Sequence, residues 1–380
     1  MSATQSAQLI AEAAEIAARA PAELAELVGI SSPSGDIEGA EACLALCASL
    51  LPVGARVERP ACSTPGSAPD LIGTLTGTGT RRIMLLGHVD TVIGHDAHHP
   101  LHTAGERLYG PGTVDMKGGV ILSLGVARAL ARRPQGFAEL AVLLVTDEEW
   151  RVAPFAHVER FRGYDACLCF EAGERTGDGA EGVVVRRKAA GTLKVRARGQ
   201  ASHSGSAPDA GRNALLALAT IAHSCAELHD PAGAEQLSVV PTVMAAGHAF
   251  NVVPAVGEVI FDLRARSLEA FAPVLDRLPA ESGGVRLEAT MERRWPGMDS
   301  EAITRPLLSA ASARLGRRIA AASRGGASDA SHFAATIPWT VDGLGPRGGG
   351  AHTPEEFVLA EALGQRAEVA LALAEQVLAG

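Results

Sequence analysis

The feature that most constrains this chain is a repeated juxtaposition of short, buried-looking apolar runs with a His, Asp or Glu directly after each. RRIMLLGHVD, LAVLLVTDEE and ACLCFEAGE all have this form, with a helical stretch beginning near Gly118 between the first two. Short apolar runs alternating with helices predict βαβ units and an α/β fold with a mostly parallel central sheet flanked by helices. In such sheets functional groups gather beyond the carboxyl ends of the strands. The polar residues stand at that position, so they are the first candidates for a site.

From about Lys188 the texture changes. KAAGTLKVRARGQ, a helix over Asn213 to Leu228, the strands LSVVPTVMAAG and EVIFDLRAR, and a helix over Leu268 to Leu278 read as an α+β insert with an antiparallel sheet. A compositional break near Arg294 to Pro296 predicts a return to the first domain. The expected division is 1–187 with 298–380, and 188–297 as the insert. The GTLTGTGT stretch, residues 73–80, lacks dinucleotide-binding spacing and reads as a hairpin turn or loop. The glycines before Asp115 do not have the strand-to-helix spacing that a nucleotide-dependent oxidoreductase would need either.

Charge narrows the partners. The net charge of -9 is spread without a basic stripe, which excludes a nucleic-acid-binding role. The N-terminal stretch reads as one or two amphipathic helices carrying acidic residues, with neither a signal peptide nor a membrane span, so a cytoplasmic location is expected. Six scattered cysteines, at 43, 47, 62, 167, 169 and 225, do not form a disulfide framework. Cys167 and Cys169 are two apart on a strand, face one side and read as buried free thiols.

Each candidate side chain has an ordinary explanation beside its chemical one. His88 and Asp90 end a strand two residues apart and share a face; one can bind a metal while the other orients it. Alone they are a common polar strand end. Asp115, in YGPGTVDMKGG, could merely cap a helix, but the glycine-rich turn before it suits a backbone shaped to present one carboxylate. Two oxygens let such a carboxylate bridge two cations. Glu148 and Glu149 could be a solvated acidic loop, or could divide roles as ligand and base. Glu171 follows the next strand, and His352 follows a glycine-rich turn near the C-terminus. Two histidines with three carboxylates suit zinc, with cobalt or manganese as substitutes, and do not make a thiolate site.

In order along the chain, GHVDTV, YGPGTVDMKGG, TDEE, FE, ASHSGSAPDAGRNA, FNVVP, DLRAR, GGASDASHF and GGGAHTPEE resemble the motif series of the M20 metallopeptidase family. The similarity runs over residues 20–375 and is greatest to the glutamate carboxypeptidase and the acetylornithine or succinyl-diaminopimelate deacylase branches. The resemblance implies a zinc-peptidase-type catalytic domain holding two Zn2+ per subunit. His88 and Glu171 would bind one ion, Glu149 and His352 the other, and Asp115 would bridge both, followed by a cis peptide. Asp90 would orient His88, and Glu148 would be the general base.

It further implies that 188–297 is a lid through which a homodimer forms, with His203 reaching into the partner's site. Arg264, Asn251 and Arg324 match residues of the carboxypeptidase branch that recognise a substrate carboxylate. The expected activity is hydrolysis of an amide beside a free carboxylate, releasing a C-terminal amino acid or cleaving an N-acyl amino acid. The alternatives are an acetylornithine- or succinyl-diaminopimelate-type N-deacylase, and a non-catalytic metal- or small-molecule-binding protein on the same fold. Two departures stand out. WRVAPFAHVER follows the tandem glutamates where relatives have Gly-Ser, so Trp150 and Pro154 would reshape that wall. GHDAHHPLH supplies His95, His98, His99 and His102, expected to form a solvated or gating loop.

Overall fold

The run ending at His88 becomes the middle of a mixed sheet in the computed structural model, which describes residues 3–380. Five strands are β1 (Arg56–Glu58), β2 (Leu71–Thr76), β3 (Arg82–His88), β4 (Glu139–Val145) and β5 (Ala166–Cys169), and Trp339–Val341 is the sixth. Their order is β1-β2-β4-β3-β5 and then Trp339–Val341. The last four run parallel to one another, while β1 and β2 add antiparallel pairs at one edge. Strands β3, β4 and β5 are buried almost throughout, as expected for a parallel sheet covered on both faces. Cys167 and Cys169 are buried free thiols within β5.

The glycine-rich stretch 73–80 divides: residues 77–80 are the loop that sequence expected, and the first half is strand. Gly73 to Thr76 belong to β2, whose neighbour is β4 and not β3, so no hairpin forms there. Leu71 and Ile72 are buried, and pairing with a distant strand outweighs the weak strand preference of the glycine.

Helices cover the sheet. The N-terminal segment is one helix, α1 (Ala3–Val28), with Pro21 inside it. Leu9, Ala13, Ile16, Ala20, Leu24 and Leu27 recur at three- and four-residue spacing and are buried, each large aliphatic side chain contributing about 1.5–3 kcal/mol. Helix α2 (Ile37–Leu50) starts at Asp36, whose carboxylate accepts the Gly39 N–H at 2.8 Å. Helix α3 (Gly118–Ala131) and the C-terminal helix Ala360–Ala379 complete the core with α1. No helix among the described residues is long and apolar enough to cross a membrane.

The chain packs as two units: one runs to Arg186 and includes Asp299–Ser323 and Ser328–Gly380, and the other is Arg187–Met298 with Arg324–Ala327. Arg324 to Ala327 lie in the stretch that sequence assigned to the catalytic domain, yet they pack with the second unit. The Lys188 N–H donates to the Arg324 carbonyl at 3.4 Å, and Arg187 Nη1 donates to the Gly326 carbonyl at 3.0 Å. In that unit β6 (Ala189–Arg198), β7 (Ser238–Ala246), β8 (Val256–Ala265) and β9 (Val285–Trp295) form an antiparallel sheet in the order β7-β8-β6-β9, extended by Glu281–Ser282. Helix α4 (Ala214–Ala226), capped by Asn213, buries Leu218, Ile221 and Cys225. The helix expected over Leu268 to Leu278 is shorter, a 3-10 turn Glu269–Phe271 followed by Ala272–Asp276.

Candidate active site

Three parallel strands deliver side chains to one place. His88 ends β3, Glu148 and Glu149 follow β4, and Glu171 follows β5. Asp115 comes from the turn before α3, and the peptide joining it to Met116 is cis. That turn is pressed close to Glu171, because a Cβ on Gly119 would fall 1.8 Å from the Phe170 carbonyl oxygen. Only glycine allows this approach. On the other side, buried Lys117 donates to the carbonyls of Leu27 (3.3 Å) and Ile30 (2.7 Å) at the end of α1. Lys117 thus ties the turn to that helix.

The structure brings His88, Asp115, Glu149, Glu171 and His352 together. His88 Nε2 lies 3.2 Å from Asp115 Oδ1 and 3.8 Å from Glu171 Oε1. His352 Nε2 lies 3.2 Å from Asp115 Oδ2 and 3.3 Å from Glu149 Oε2. The two oxygens of Asp115 are therefore divided, one to each histidine. Ligand atoms of a tetrahedral zinc with bonds of 2.0–2.1 Å sit about 3.3 Å apart, close to three of these four spacings. Glu149 Oε1 is buried with no hydrogen-bond partner, the mark of a position that needs a cation. Among the described residues, the ion pairs of Asp115, Glu149 and Glu171 are with the two histidines alone. This donor set fits metal ions.

The titration of these groups points the same way. Burial pushes Glu171 well above the usual carboxylate range, with Asp115 adding to the effect. Burial also raises Glu148 to about 7; His88 opposes the shift while Glu149 and Asp115 reinforce it. Against its own burial, Asp115 is held low by hydrogen bonds from His352 and His88. The same bonds from Asp115, and those from Glu149, lift His352 to about 10.

Asp90 has a broader part than orienting a histidine. His88 Nδ1 is nearest the Asp90 main-chain carbonyl, at 3.0 Å, with Asp90 Oδ1 at 3.4 Å. The Asp90 carboxylate accepts the N–H groups of Glu148 and Glu149, both at 3.2 Å, and the Ser34 hydroxyl at 3.1 Å. One side chain thus fixes the tandem glutamates against the strand that carries His88. Sequence reasoning missed this, and it missed Arg151, which is fully buried and pairs with Asp147 at 2.7 Å and with Asp329. Trp150 is half exposed and lies over Gly35.

The histidine-rich loop is largely exposed, as expected of a solvated loop, and it also has anchors. His95 Nδ1 is 2.8 Å from Ser31 Oγ, His99 Nε2 is 2.9 Å from the Pro354 carbonyl, and His102 stacks on Tyr109. Local sequence could not show these partners, since two of the three lie outside the loop's surroundings in the chain.

The remaining candidates belong to the second unit. His203 is exposed, and its Nδ1 accepts the N–H groups of Gly205 (3.1 Å) and Ser206 (3.2 Å). With Nδ1 an acceptor, the neutral ring carries its proton on Nε2 and presents a donor outward. The Asn251 segment lies alongside, because Ser204 N–H donates to the Asn251 carbonyl at 3.0 Å and Val253 N–H to that of Ser202 at 2.9 Å. Arg264 Nε and Nη2 bond both oxygens of Asp262 at 3.0 Å, leaving Nη1 as its uncommitted donor in that pair. Arg324 stands at the start of the segment that packs with Lys188.

The family model of Peptidase family M20/M25/M40 matches residues 84–376. Carboxypeptidase G2 from Pseudomonas sp. (strain RS-16) is 28% identical over 373 residues, covering 94% of this chain and 89% of that protein. A succinyl-diaminopimelate desuccinylase from Methylorubrum extorquens (strain PA1) is 29% identical over 359 residues, covering 85% and 90%. In fold, the chain is similar to a tripeptidase from Staphylococcus aureus subsp. aureus Mu50, with a TM-score of 0.78 at 20% identity, over 96% of this chain and 99% of that one.

Proposed function

Since the chain belongs to peptidase family M20/M25/M40 and is a hydrolase of amide bonds, we propose that it is a two-zinc amidohydrolase of the glutamate carboxypeptidase kind. It would cleave an amide beside a free carboxylate, releasing a C-terminal amino acid or hydrolysing an N-acyl amino acid. The observation that carries this reading is the division of the two Asp115 oxygens between His88 and His352. His88 and Glu171 would hold one ion and Glu149 and His352 the other, with Asp115 shared between them. Zinc held there would supply Lewis-acid chemistry, polarising a carbonyl and acidifying a water.

The chain's own groups do the rest. Glu148, buried and raised to about 7, takes the proton of the attacking water and returns it to the departing amine. His203 donates its Nε2–H to the carbonyl oxygen as charge builds there. Asn251, the free Nη1 of Arg264 and Arg324 recognise the substrate carboxylate.

His203 serves the partner's site in a homodimer formed through the second unit. What supports the dimer is an edge strand: β7 lies at the rim of its sheet with Val240, Val243 and Met244 exposed, and α4 exposes Leu215 and Leu216. An apolar edge strand of this kind needs a cover. Subunit mixing tests the sharing. H203A and E148Q proteins, each nearly inactive, should regain about a quarter of wild-type activity when co-expressed, because a C2 heterodimer assembles one intact site. No recovery would put His203 in its own subunit's site, and full activity of H203A by itself would take it out of catalysis.

A hydrolysis screen of zinc-loaded protein against N-acyl amino acids and C-terminal amino-acid libraries, beside a chelated control, tests the whole assignment. The desuccinylase relative keeps N-deacylation as the second reading, and the preferred library separates the two. Hydrolysis that survives complete metal removal would overturn both.

A further inference from the structure

We propose that Glu356 is a positioning residue that sets the Asp115 carboxylate, strapping the turn that carries Asp115 to the loop that carries His352. The inference rests on the two-zinc reading above. Glu356 lies four residues after His352 and is buried. Its Oε2 accepts the Gly112 N–H at 2.8 Å, and its Oε1 accepts those of Val114 at 2.7 Å and Asp115 at 2.8 Å. Its main-chain carbonyl accepts the Gly110 N–H at 2.9 Å, and its own N–H donates to Thr353 at 3.2 Å. One residue therefore gathers four N–H groups of the segment 110–115 while remaining part of the His352 loop.

The chemistry of this fan demands a carboxylate. Both oxygens act as acceptors, Oε2 for one N–H and Oε1 for two. Glutamine has one acceptor oxygen and one NH2 donor. Turned one way, its NH2 faces the Gly112 N–H; turned the other, it faces those of Val114 and Asp115. Glu356→Gln therefore keeps size and shape while breaking the strap in either orientation. Gly112 has φ 77° and His352 has φ 66°, so both loops hold left-handed backbone that external bonds must fix.

A plain loop staple would alter stability alone; a positioning residue alters the ions. Zinc affinity of full-length E356Q and wild type, measured by chelator competition, should differ about 10–100-fold, the usual loss when a group behind the ligands is removed. The visible spectrum of the cobalt-substituted protein should change, and kcat should fall with KM little altered. Wild-type affinity for both ions together with unchanged kcat in E356Q would overturn the proposal. Should wild type itself bind no zinc, the two-zinc reading falls and not the strap alone. Should E356Q fail to fold, hydrogen exchange on zinc-loaded wild type decides. Slow exchange of a peptide spanning 110–115 supports the strap, and exchange as fast as in exposed loops removes it.

Discussion

Two acidic clusters diverge from a single tripeptide, Asp147 to Glu149, and they differ in what their oxygens face. Asp147 joins Cys62 and Asp70, whereas Glu149 joins His88 and Asp115, and in each trio the ligand-type atoms lie within 4.8 Å of one another. Around Asp147 the acceptors are matched. Thr64 gives its N–H (2.9 Å) and hydroxyl (2.7 Å) to Oδ2, and Arg151 gives Nη1 to Oδ1. Asp70 is matched as well, by the Thr146 N–H at 3.0 Å and the His157 ring at 2.7 Å. Of the two Glu149 oxygens, Oε1 is buried without a hydrogen-bond partner and Oε2 faces His352 at 3.3 Å. Proximity alone does not make a metal site; what separates the two trios is that the Asp147 and Asp70 oxygens have donors while Glu149 Oε1 has none.

Removing the ions is the largest test of that contrast. Chelation should bring hydrolysis to background, and D115N should lose bound zinc with it, as measured by atomic emission. Zinc kept at full stoichiometry by D115N would place the ions elsewhere. E148Q should separate chemistry from binding, holding its zinc while kcat drops about 10²–10⁴-fold, the range of a general base. An unchanged kcat would remove Glu148 from that role.

The matched cluster should respond in stability. Arg151 is fully buried and neutralises both Asp147 and Asp329, so R151M leaves two buried carboxylates without their cation. Breaking a buried pair from one side costs about 3–5 kcal/mol, and urea unfolding should show a loss of that order. A midpoint unmoved by R151M would mean that the two carboxylates find other donors or take up protons.

How far the sequence revealed this arrangement depended on how local each cause is. His88, Glu149 and Glu171 were legible because each lies at or just beyond the carboxyl end of a buried strand, where a parallel sheet keeps its open groups. Asp115 was legible from the glycines around it. The tandem carboxylates were not separable, since whether Asp147 is matched depends on Thr64, 83 positions away, and on Arg151. Glu356 was not singled out in the sequence, because the N–H groups its side chain accepts lie 241 to 244 positions earlier. Gly73 to Thr76 misled for the same reason: the strand that pairs with them starts at Glu139.

The smallest expected effect sharpens the comparison most, because it asks whether a cluster with metal-like spacing binds anything. Burial raises the Cys62 thiol to about 12, with Asp70 adding to the shift, so an ion bound there would have to displace a firmly held proton. A thiol must lose its proton to bind zinc, and the neighbouring aspartates have spent their lone pairs on Thr64, Thr146, Arg151 and His157. C62A should therefore keep wild-type zinc stoichiometry and kcat, and lose about 1 kcal/mol of stability or less for a half-buried thiol. Loss of one zinc on this single change would make the Cys62 cluster a third metal site. It would also show that matched hydrogen bonds can be exchanged for an ion.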